Sequence, residues 1–290
     1  MEEIARRQDV QLKEYFAFRV NETFSLRIYP DSRPENMEIA PLQKGLVLVV
    51  DGEEVIEEGV GFGVPVLKYT DKTFFCRTAV VYIKEQNKNS ALIEKVFLLD
   101  SVSKKRLNGA FINDGFYSVL HKIFEVSYLR CGKGRSLFDR VMRLRKLLGI
   151  ETFFARVSPR GIVTFRYYCY PDHIRVSADF SGVDLTQCRE ILVLNEQGGS
   201  FFRRIRSGDL VSHDREIGAW VKSVSGFAEF SDFGGRVSFS VESKSSSSLY
   251  VGWEQVKGRF SWAGINFGLS PKTLMFNYTI RLKENPPKFG

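Results

Sequence analysis

The 290-residue chain has no apolar run approaching the ~20 residues that cross a bilayer, so no helical membrane span is expected. Its opening stretch, MEEIARRQDVQLKEYF, is too polar for a secretory leader, and the expectation is a cytoplasmic protein with no membrane partner. Cysteine is scarce. Cys76, Cys131, Cys169 and Cys188 form no CxxC pair and no Cys/His cluster, which argues against a metal site and for free thiols. There is no GxxxxGK[ST] phosphate loop and no GxSxG nucleophile elbow, and nothing in the sequence asks for a cofactor. No linker rich in proline or charge divides the chain and no repeat recurs. The one low-complexity stretch, KSSSS at 244–248, reads as a hairpin tip.

What is abundant is aromatic. The 25 Phe and 11 Tyr favour strands, because flat side chains pack well on a pleated surface. Short apolar runs separated by turn residues fill most of the chain: FSLRIYP, then GLVLVVDGEEV with a hairpin turn at Asp51-Gly52, then VPVLKY, TFFCRTAVVYI and ALIEKVFLLD. After residue 150 strand signals recur about every eight to twelve residues, the spacing of a sandwich or barrel. In VTFRYYCY, Val163, Phe165, Tyr167 and Cys169 take one face while Arg166, Tyr168 and Tyr170 take the other. A strand face rich in Arg and Tyr suggests a polar concave surface. Between Asp114 and Gly149 the period changes to three and four residues, which predicts helices. The expected fold is therefore mainly β: a large antiparallel sandwich over 1–290 with a helical insert around 114–149. The alternative is two β-lobes, 1–113 and 150–290.

The chain carries a formal charge of +8, which admits an anionic partner. Much of it is local, since Arg130, Lys133, Arg135, Arg140, Arg143, Arg145 and Lys146 face only Asp139 between 130 and 146. Arg140, Arg143, Arg145 and Lys146 read first as a solvated helix surface and second as a polyanion site. The glycine-rich GVGFGVPVLKY (59–69) resembles a dinucleotide loop only superficially. Val64 stands where the third glycine is needed, and a strand follows where a helix is needed. A bent β-segment fits better, with Phe62 projecting against a neighbour or a ligand.

Candidate chemistry is thin. His173 and His213 stand at strand junctions and Glu196 and Glu216 beside strand ends, so these four are the acid–base candidates. Trp220, Trp253 and Glu254 join aromatic and carboxylate groups in the manner of sugar recognition, and core packing is the alternative for the tryptophans. Arg203 and Arg204 follow Phe201-Phe202, a mixture that suits a carboxylate-bearing ligand. It lacks any nucleic-acid-binding signature, so nucleic acid is an unlikely partner and ranks third. Oligomeric state is not readable.

The closing segment, GRFSWAGINFGLSPKTLMFNYTIRL, resembles the last two strands of the galactose-mutarotase-like super-sandwich. The resemblance implies a super-sandwich-like fold and a carbohydrate-binding or carbohydrate-active protein of the mutarotase or lyase type, and the basic charge of the chain extends the expectation to sugars that include anionic ones. No catalytic residue of that family can be placed on this chain. The alternative is a noncatalytic scaffold that meets a polyanion or a protein through the basic segment.

Overall fold

The computed structural model describes residues 5–8, 14–30, 43–56, 59–87, 90–107, 110–111, 150–208, 210–213, 221–245, 248–256 and 260–285. Among these residues every element is a strand and every strand pairing is antiparallel, in two sheets of 14 and nine strands. The second sheet runs, in spatial order, Leu210–His213, Phe202–Ser207, Phe227–Asp232, Val237–Glu242, Met275–Glu284, His173–Asp179, Ile162–Cys169, Ala91–Leu98 and Thr78–Gln86. The heart of the first sheet is Leu46–Val50, Gly61–Tyr69, Cys188–Gln197, Phe260–Leu269 and Ser248–Val256. Strands from before residue 112 and after residue 149 pair in both sheets, Gly61–Tyr69 with Cys188–Gln197 in one and Ala91–Leu98 with Ile162–Cys169 in the other.

The alternation of apolar and polar residues decides which face of each strand turns inward. Val163, Phe165, Tyr167 and Cys169 are all 0% exposed, and Phe239, Val241, Phe276 and Ile280 join them from neighbouring strands. The inner face of the first sheet answers with Phe62, Val193, Ile265 and Phe267. The rings meet across the gap: Phe62 lies edge-on to Phe239 at 5.2 Å, and Phe267 contacts Phe276 at 4.9 Å. Burying each such ring stabilises the fold by roughly 1.5–3 kcal/mol. Polar groups also bridge the sheets. The Tyr278 hydroxyl donates to Asn195 Oδ1 at 2.7 Å, the Gly63 N–H donates to the same oxygen at 3.1 Å, and the Tyr167 hydroxyl donates to the Phe62 carbonyl at 3.0 Å.

These observations correct the expected fold class. The sandwich is present, but the described residues form an all-β structure without a helix, so a mixed fold with a helical insert is not supported. The segment 114–149, where the insert was expected, lies outside the described residues, and the basic residues Arg140, Arg143, Arg145 and Lys146 lie there too.

Candidate functional site

The outer face of the second sheet carries a cleft of about 730 Å³, built where Ile162–Cys169, His173–Asp179, Met275–Glu284 and Val237–Glu242 lie side by side. Because the inward residues of these strands are apolar, the intervening residues turn out to solvent. Register aligns Tyr168, Arg175, Thr279 and Glu242 in one row across four strands, and places Arg281 opposite His173. Tyr170, Asp172, Ser177, Lys244 and Asn277 complete the polar lining. This volume lies within the range of small-ligand sites.

The turn Tyr170–His173 gives one end of the cleft its chemistry. The Tyr170 and His173 rings stack at 4.7 Å with an 18° interplanar angle, and the Arg175 guanidinium lies 5.6 Å from the Tyr170 ring centre. His173 Nδ1 is 2.7 Å from Asp172 Oδ1. That hydrogen bond, assisted by the charge of Arg281, holds the Asp172 carboxyl below its usual value, so it is ionised at neutral pH. An ionised carboxylate only accepts, so Nδ1 carries the proton in this bond and Nε2 is left as the ring's exchangeable site in the neutral form.

Some cations outside the cleft lining are held by carboxylates. Arg166 is bridged to Glu94 at 3.0 Å, Arg206 to Glu229 at 2.7 Å and Arg27 to Glu54 at 2.8 Å. Among the described residues no carboxylate pairs with Arg175, Arg281 or Lys244 in this way, and all three are exposed. Against them stand Asp172 and Glu242, so the fixed charges of the lining sum to three positive and two negative.

The residues singled out by sequence fall in different places: among the described residues, His173 lines the cleft together with Tyr168 and Tyr170 of the outward strand face, and the other acid–base and binding candidates do not. Phe62 is 0% exposed and Trp253 3%, with the indole N–H donating to the Gly199 carbonyl at 2.7 Å, so both side chains serve packing and offer a ligand no surface. Arg203 and Arg204 flank the exposed Phe233 ring at 5.6 and 5.2 Å, on strand Phe202–Ser207 and not at the cleft. Glu196 lies on the other sheet. His213 and Glu254 belong to strands Leu210–His213 and Ser248–Val256, while Glu216 and Trp220 lie outside the described residues. Arg175, Arg281 and Lys244 were missed by sequence reading. The available signal was the alternation in HIRVSAD and MFNYTIRLKE, which puts Arg175 and Arg281 on outward positions.

No protein-family model and no curated protein sequence matches the chain. Among solved structures it is similar to α-N-acetylgalactosaminidase NagBb from Bifidobacterium bifidum in complex with GalNAc, at 9% identity and a TM-score of 0.49, over 92% of this chain and 36% of that one. A heparinase III matches at 7% identity and a TM-score of 0.47, over 93% of this chain and 35% of that one. The protein HI1317 matches at 8% identity and a TM-score of 0.41, over 95% of this chain and 94% of that one. The chain thus spans about a third of the length of the first two, which are carbohydrate-active enzymes by name. Identities this low carry no residue role, and none of the three TM-scores reaches 0.5, so the functional argument rests on the cleft itself.

Proposed function

We propose that the chain binds a carbohydrate carrying an anionic group in the outer cleft of the second sheet. The observation that carries this reading is the gathering of three cations, Arg175, Arg281 and Lys244, that form no ion pair with a carboxylate among the described residues, beside the half-buried rings of Tyr168 and Tyr170. A sugar ring presents C–H groups to Tyr168 or Tyr170, its hydroxyls find Ser177, Asn277 and Thr279, and a carboxylate or sulfate meets the guanidinium fork of Arg175 or Arg281. The finer form of the reading is enzymatic. With Asp172 orienting its ring, His173 is positioned to exchange a proton with a bound sugar in an epimerase- or lyase-type reaction.

Calorimetric titration with uronate-containing and neutral oligosaccharides of equal length tests the binding. The uronate is expected to bind at least about tenfold more tightly, and Arg175→Ala or Arg281→Ala to remove that preference. If no uronate or sulfated glycan binds at millimolar concentration, the carbohydrate reading falls. His173→Asn separates the enzymatic form, since it should leave affinity within about threefold while abolishing turnover. Unchanged turnover in that variant would remove His173 from the chemistry.

A further inference from the structure

The outer face of the first sheet holds a second arrangement, unconnected with the cleft. Register places Gly61, Glu196, Gly264 and Gly252 in one row across four adjacent strands, so Glu196 is the row's single side chain. Backbone geometry fixes two of these glycines. A Cβ on Gly264 would lie 2.1 Å from the Asn195 carbonyl oxygen, and one on Gly61, whose φ is +79°, would lie 2.9 Å from that of Leu46. Neither glycine can therefore take a side chain without displacing backbone.

The next row places Leu194, Asn266 and Tyr250 on the same face. Asn266 is 5% exposed, and its Oδ1 has no hydrogen-bond partner. A buried amide oxygen without a donor is uncommon in folded proteins because it has lost its water without replacement. Glu196 is equally displaced from its ordinary chemistry. The residue as a whole is half-buried, but loss of hydration around its carboxyl outweighs the Val60 N–H that donates to it, and its pKa rises to about 7.

We propose that Glu196 and Asn266, standing beside this row of glycines, form a second binding site for a neutral hydroxyl-bearing ligand of the sugar or polyol type. The Asn266 oxygen requires a donor, which a hydroxyl supplies and a carboxylate or phosphate does not. A protonated Glu196 both donates and accepts, again matching hydroxyls, whereas an ionised one repels anions. Tyr250, beside Asn266, supplies an apolar ring face of the kind on which sugars stack.

The test uses the full chain with glucose and galactose at tens of millimolar, read by shifts of protein NMR signals. Asn266→Leu removes an unpaired polar group without changing side-chain size, so the variant is expected to fold. A neutral sugar should bind the wild type and the Arg175→Ala/Arg281→Ala double variant equally, at least about tenfold more weakly to Asn266→Leu, and within about threefold to Glu196→Gln. Equal binding to the wild type and Asn266→Leu, or shifts confined to residues of the cleft, would overturn the proposal, as would the absence of any shift. Because this proposal is read with neutral sugars and the cleft with uronates, failure of either leaves the other standing.

Discussion

Glu196 ties one side chain to the stability of the whole fold. In the unfolded chain its carboxyl titrates near 4.5, and in the folded protein burial raises this to about 7. Folding therefore favours the protonated form. The contribution is fully present below the unfolded value, declines as pH rises from about 4.5 to about 7, and is lost above that. Its upper bound is about 3 kcal/mol. Glu196→Gln, which mimics the neutral acid, should be more stable than the wild type by up to that amount at about pH 8 and nearly equal to it at about pH 4.5, as measured by urea unfolding. Equal stabilities at both pH values would show that the carboxyl is hydrated in the folded state. The sequence marked Glu196 as a strand-end acid, but not that both of its cross-strand neighbours and the next residue in the row are glycines, because those glycines come from three separate strands. Phe62 shows the converse. Its projection from a glycine-rich segment was legible, and its target is the core residue Phe239.

Turns and bends are the elements that local sequence specifies most directly. The Asp51-Gly52 hairpin formed as read, with both residues at positive φ (51° and 85°) and Val50 paired with Glu53, the geometry of a two-residue primed turn. The outward Arg and Tyr positions of Ile162–Cys169 were legible by the same alternation that buries Val163 and Phe165. The glycines at 59–63 form a bulge. Register against Cys188–Gln197 shifts between Leu194 and Asn195, and Gly63 is the unpaired extra residue at φ +79°. A Cβ on Gly63 would lie 2.7 Å from the Tyr167 hydroxyl and 2.9 Å from the Phe165 ring, inside a close-packed core. Gly63→Ala should then cost roughly 2–4 kcal/mol, combining strain at positive φ with overpacking. Gly52→Ala meets the same strain at φ +85° with nothing within 4 Å, and should cost only about 1–2 kcal/mol. Equal costs in thermal unfolding would mean that the Tyr167 side of the bulge yields freely.

At the scale of the molecule, function depends on which strands meet, and no local pattern encodes that. The cleft joins residues 168–177 to residues 242–244 and 277–281, and Arg175 and Thr279 become neighbours across 104 positions of sequence. The sequence could therefore show a polar Arg and Tyr face on one strand without showing that Arg281 and Lys244 would join it. The net excess of positive charge in this lining gives a last prediction, because exposed charges interact within the reach of the ionic atmosphere. Raising ionic strength from about 0.05 M to about 0.5 M shortens the screening length from roughly 14 Å to roughly 4 Å. Affinity for an anionic sugar should fall by about tenfold over that range. Arg175→Ala should bind more weakly at low salt and respond less to salt. Arg166 provides the contrast on the same sheet. It is held by Glu94 at 3.0 Å with Asp179 at 3.9 Å, so its charge is already answered. Arg166→Ala should therefore leave the salt response unchanged, while the half-buried pairs it breaks contribute about 1 kcal/mol to stability. If the two arginine variants lose salt sensitivity equally, the attraction is a property of the whole basic surface, and the cleft has no special claim on the ligand.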